Sequence, residues 1–103
     1  MFHCNGWTFP WVDTLQSGRY VCMRSVNADE IIEQVVSQGI THFCAAPVVL
    51  NLLLQRIAKD HLELPHSVQV ATGGAPPPSK IIEIAEKNGF RITHLYGMTE
   101  GYL

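Results

Sequence analysis

At 103 residues the chain can bury one modest core, close to the size at which independent folding becomes marginal. With 47% hydrophobic and only 16% charged residues it sits at the apolar end of the globular range, as expected of a segment whose faces are covered by neighbours. A net charge of −2 and seven scattered basic residues argue against a nucleic-acid surface, and no apolar run reaches the roughly 18 residues of a membrane span.

The predicted elements follow in chain order. Phe2 to Cys4 reads as a strand end, and Trp7 to Leu15 as a short helix that tolerates Pro10 near its start. Arg19 to Arg24, with Tyr20, Val21 and Cys22, has a short strand pattern. Asn27 is an N-cap candidate for a helix carrying Ile31, Ile32, Val35 and Val36, which Gly39 stops. Thr41 to Ala46 is a short apolar run between Gly39 and Pro47 and is expected to be a buried strand. Pro47 suits a first helical position, and Leu50, Leu53, Leu54, Ile57 and Ala58 line one face after it. His66 to Thr72 is the next strand and ends in Gly73-Gly74. Pro76 to Pro78 open a helix with Ile81, Ile82, Ile84 and Ala85 facing inward, closed by Asn88-Gly89. Arg91 to Tyr96 is the last strand.

Strands separated by helices of this length imply an α/β fold of βαβ units on a mostly parallel sheet. The segments share no common motif, so a solenoid of repeats is rejected. Cys4, Cys22 and Cys44 are an odd number with no Cys-x-x-Cys, so they read as reduced residues in a cytoplasm-like compartment, an organelle being left open. His3-Cys4 and His42-x-Cys44 match no standard zinc spacing. Met1 is followed by no basic and apolar leader of the secretory kind.

In an open parallel sheet, ligands bind beyond the carboxyl ends of the strands. Three candidate segments fall at such ends: His3 to Trp7, Gly73 to Pro76, and Tyr96 to Glu100. In Thr72-Gly73-Gly74-Ala75-Pro76 small residues allow a flat ring to approach the backbone, although the same residues also suit an ordinary strand-to-helix turn. In Tyr96-Gly97-Met98-Thr99-Glu100, Tyr96 offers a stacking face, Thr99 a hydroxyl for a phosphate oxygen, and Glu100 a hard oxygen for Mg²⁺. A core Tyr96 with Thr99 and Glu100 capping a loop is the plainer alternative.

These two segments together, about twenty residues apart, resemble the nucleotide-binding core of the adenylate-forming enzymes, the acyl-CoA synthetases and ligases. Met1-Phe2-His3-Cys4-Asn5-Gly6-Trp7 is similar to an acyl-pocket segment of that family. The resemblance implies that residues 1–103 are part of a larger AMP-binding domain, without the family's upstream phosphate loop and the C-terminal domain with its catalytic lysine. It implies ATP, Mg²⁺ and coenzyme A as cofactors, a small carboxylic (fatty) acid as substrate, and the rest of a synthetase chain as partner. Gly73, Gly74, Ala75 and Pro76 would line the adenine pocket with Tyr96 and Gly97. Thr99 would bind phosphate and Glu100 the metal, while His3, Trp7 and Met98 would face the acyl group, packing being the plainer role for Trp7. Relatives commonly continue Thr-Tyr-Gly after the glutamate, from which Gly101-Tyr102-Leu103 departs.

Two rivals stand beside this reading. One is a truncated remnant that binds nucleotide weakly at most; in either case the chain alone is expected to be nearly inactive, because adenylation needs several parts together. The other is a dinucleotide-binding module, which the absence of Gly-x-Gly-x-x-Gly after a strand argues against.

Overall fold

A computed structural model describes residues 8–98 and 100. They divide between two compact units, one of residues 26–95 and a smaller one holding residues 8–25, 96–98 and 100. In the smaller unit, helix α1 (Phe9–Leu15) starts with a proline in its first turn, where a missing amide costs no helical bond. Residues 18–23 have no regular structure. The strand expected there is not formed: an extended segment becomes a strand only when another strand satisfies its amides and carbonyls, and among the described residues no ladder reaches this one.

The larger unit runs α2 (Ala28–Gln38), β1 (His42–Ala45), α3 (Pro47–Asp60), β2 (Val68–Thr72), α4 (Ser79–Lys87) and β3 (Phe90–His94). The three strands form a parallel sheet in the order β1-β2-β3, so each crossover carries one helix, as the alternating pattern predicts. Register runs from His42 opposite Gln69 to Ala45 opposite Thr72, and from Val68 opposite Phe90 to Thr72 opposite His94.

Local chemistry explains the helix limits. Asn27 Oδ1 accepts the Asp29 and Glu30 amides at 2.9 and 3.3 Å, and Gly39 ends α2 at φ 65°, a left-handed conformation that costs glycine nothing. Pro47 opens α3, and His61 closes it in the left-handed region. Helix α4 begins at Ser79 and not at Pro76. Each proline pushes the residue before it toward extended backbone, so three in a row delay the first helical turn.

The core lies where α3 and α4 meet the sheet and where α2 packs on α3. Ile31, Val35, Leu50, Leu53, Leu54, Ile57, Val68, Val70, Ala85 and Phe90 are buried. The Phe43 and Phe90 rings meet edge to face with centroids 6.1 Å apart. Val36, expected in the α2 stripe, is 55% exposed, and Ala58 is exposed as well. Ile31 and Val35 lie one above the other on the inner row, whereas Val36 is turned about 100° away from Val35. Arg56 ties the helices at their outer ends, donating from Nε to Asp29 on α2 and from an Nη to Asp60 on its own helix. Those two carboxylates, Asp60 first, hold its pKa above the usual arginine value.

Candidate functional site

The carboxyl end of β2 is where backbone and sequence converge. Thr72, the last residue of that strand, is fully buried, and its carbonyl accepts the Leu95 amide at 2.7 Å. This bond carries the β2–β3 pairing one residue past the end of β3. Gly73 follows, and a Cβ added there would lie 3.2 Å from the Leu95 carbonyl oxygen. Glycine is what lets the two chain segments approach so closely. Gly74 has φ +91°, and a Cβ added to it would meet nothing within 4 Å, so it makes an open turn that residues with side chains adopt only under strain. Gly74, Ala75 and Pro76 are exposed, and the chain then enters α4.

An added methyl at Gly73 tests this geometry. Gly73→Ala lowers the entropy of the unfolded chain, which favours folding by about 0.4–1 kcal/mol. It also pushes on a carbonyl whose residue is already held by the 2.7 Å bond to Thr72, and crowding of this kind costs about 1–3 kcal/mol. The clash wins, so the expected net loss is about 1 kcal/mol, read as faster hydrogen exchange at the Leu95 amide. Unchanged or slower exchange would show that Leu95 yields freely.

Tyr96 comes directly after Leu95 and belongs to the smaller unit. The residue is 84% exposed, and an aromatic side chain in that state can offer a face to a flat partner. Gly97, Met98 and Glu100 are also exposed. The strand expected to run to Tyr96 stops at His94, so Tyr96 is a loop residue and not a core one. Glu100 presents a single carboxylate, and among the described residues no group of three or more His, Cys, Asp or Glu side chains is placed to hold a metal. Magnesium that arrives on a triphosphate needs no such group, since Mg²⁺ keeps several waters and uses one or two carboxylates besides phosphate oxygens. His3, Trp7 and Thr99 lie outside the described residues.

Sequence reasoning placed Thr72 at the head of this segment without giving it a role, and it missed Leu95 as part of the junction. Period-two alternation with Val68 and Val70 was the available signal, since it places Thr72 on the buried face. A separate concavity of about 350 Å³, lined by Ser67, Glu86, Gly89, Phe90, Arg91 and Ile92, lies at the amino ends of β2 and β3. That is the end of a parallel sheet opposite to the one where ligands bind.

A family profile, AMP-binding enzyme, matches residues 1–103 from end to end. The chain belongs to the AMP-binding enzyme family. Among curated relatives of this AMP-binding segment, the peroxisomal acetate/butyrate–CoA ligase AAE7 of Arabidopsis thaliana is 47% identical over 103 residues, covering 99% of this chain and 18% of the relative. The segment thus spans less than a fifth of that protein's length. Among solved structures, the N-terminal domain of FACL13 from Mycobacterium tuberculosis superposes with a TM-score of 0.87 at 25% identity, covering 97% of this chain and 26% of that one. O-succinylbenzoate coenzyme A synthetase (MenE) from Bacillus subtilis, in complex with ATP and magnesium ion, gives a TM-score of 0.85 at 22% identity over 98% of this chain and 21% of its own. These neighbours share the α/β architecture with its parallel sheet. Among the described residues no helix is long and apolar enough to cross a membrane.

Proposed function

We propose that this chain is the adenylate-holding part of an acyl-CoA ligase. The observation that carries the reading is the junction at Thr72, Gly73 and Leu95. It sets a glycine turn at the carboxyl end of the middle strand and leads directly into the exposed Tyr96 of an AMP-binding family segment. The reaction would join a carboxylic acid and ATP as acyl-AMP with release of pyrophosphate, and then pass the acyl group to the coenzyme A thiol.

Each residue has a part in that reaction. Gly73, Gly74, Ala75 and Pro76 present backbone to the adenine, and Tyr96 stacks on it while Gly97 keeps the loop pliant. Thr99 donates its hydroxyl to a phosphate oxygen, and Glu100 takes Mg²⁺. When bound there, Mg²⁺ would supply charge neutralisation at the phosphates. His3 positions the carboxylate, and Met98 and Trp7 border the acyl group. The phosphate loop and the catalytic lysine are assigned to other parts of the synthetase chain, with residues 1–103 forming one part of its large AMP-binding domain. Carboxylic acids are the substrate class, as the name of the acetate/butyrate–CoA relative suggests. The compartment we assign is a reducing one, the cytoplasm or an organelle, in keeping with Cys22 and Cys44 as thiols outside any disulfide.

The test is acid-dependent exchange of pyrophosphate into ATP, followed by thioester formation with coenzyme A, in the full-length protein and in the 103-residue chain alone. Both activities are expected in the full-length protein and neither in the isolated chain. A full-length protein that exchanges no pyrophosphate with any of a panel of carboxylic acids would overturn the proposal.

A further inference from the structure

Thr72 holds an unsatisfied group: its side chain is fully buried, and its Oγ1 has no hydrogen-bond partner among the described residues. Hydroxyls at such positions are normally satisfied, because burying one without a partner is unfavourable. An isosteric valine would fill the same space beside Val68 and Val70 without that penalty. The orphan hydroxyl also sits at a particular place. It begins the sequence Thr72-Gly73-Gly74-Ala75, and threonine hydroxyls readily accept the backbone amide two residues on, closing a tight turn. In this structure that bond is not made. Gly74, at φ +91° with open space around its α-carbon, has the freedom to make it.

We propose that Thr72 is a positioning residue for the nucleotide, its hydroxyl accepting the Gly74 amide when a bound adenine draws the turn closed. This rests on the nucleotide reading given above. Binding would then satisfy a group that the turn otherwise leaves unsatisfied, and the gain appears as affinity. Thr72 touches neither the reacting carboxylate nor the phosphates in this account, so it acts through the turn.

The experiment uses the full-length ligase, ATP alone as probe, and the variants Thr72→Val and Thr72→Ser. Thr72→Val is expected to raise the melting temperature of the nucleotide-free enzyme and to weaken ATP binding about tenfold, the scale of one lost hydrogen bond. Thr72→Ser keeps the hydroxyl and is expected to bind ATP within about twofold of the parent, a ratio worth well under one hydrogen bond. ATP should slow hydrogen exchange at the Gly74 amide in the parent and in Thr72→Ser, but not in Thr72→Val. A merely structural role would move stability and leave this nucleotide-dependent protection in place. Parent-like ATP affinity in Thr72→Val, or a lower melting temperature of its nucleotide-free form, overturns the inference while leaving the nucleotide reading standing. Failure of the unsubstituted enzyme to bind ATP overturns the nucleotide reading itself, and this inference with it.

Discussion

If the proposed reaction holds, Glu100→Gln in the full-length protein is expected to slow acyl-adenylate formation on the order of 10²-fold, the scale of removing one preorganised electrostatic contact to the reacting group. Glutamine keeps the size of the side chain and one carbonyl oxygen, but it removes the charge that makes a carboxylate a good ligand for a hard cation. The position is exposed, so the exchange opens no cavity and buries no unpaired group. The fold should therefore survive. The magnesium concentration needed for half-maximal rate should rise, and excess magnesium should recover part of the lost activity. Pyrophosphate exchange measured across a magnesium titration checks both points. A variant that forms acyl-AMP at the parent rate would remove Glu100 from the metal site.

His3→Ala should separate the acid from the nucleotide. A carboxylate substrate is already ionised at neutral pH, so the reaction needs no base to prepare it. In the proposed role the imidazole would add one hydrogen bond to the oxygens of the developing acyl-phosphate linkage and a wall for the acyl group. Loss of one well-placed donor costs on the order of 10²-fold in turnover. The account therefore expects a fall of that size in adenylation, little change in ATP affinity, and better acceptance of bulkier acids, because the pocket widens. Steady-state kinetics over acids of increasing size, with ATP binding measured separately, gives all three. Loss of ATP binding with the acid preference unchanged would put His3 on the nucleotide side.

Much of the fold was legible because single residues punctuate it. Asn27 and Gly39 bracket α2 to the residue, and Pro47 marks the start of α3, since capping and proline stereochemistry act locally and do not wait for tertiary contacts. The parallel sheet followed from the spacing of apolar runs. Elements that depend on a distant partner were less legible. The pattern at Tyr20, Val21 and Cys22 has strand propensity but no ladder, and Ile81 and Ile82 on α4, expected to face inward, are only half-buried. Whether a stripe is covered depends on the surface opposite, which the stripe itself does not encode. The candidate site divides the same way. Gly73, Gly74 and Tyr96 announce themselves by residue type, and the structure adds a reason for each: a 3.2 Å approach, a positive φ and an exposed ring. Thr72 did not stand out, because a threonine at a strand end is ordinary until its hydroxyl is seen to be buried without a partner.

The central claim is that the turn after β2 and the loop after β3 hold one nucleotide, and covalent capture tests it most directly. The full-length protein would be irradiated with an ATP analogue carrying a photoreactive group on the adenine, digested with trypsin, and the labelled peptides sequenced. Arginine and lysine positions place the two segments in separate peptides, one covering residues 60–80 and one beginning at Ile92. The account predicts label in these two peptides, at Gly73 to Pro76 and at Tyr96, suppressed by unlabelled ATP. Label that ATP suppresses but that lies wholly outside both peptides would contradict it.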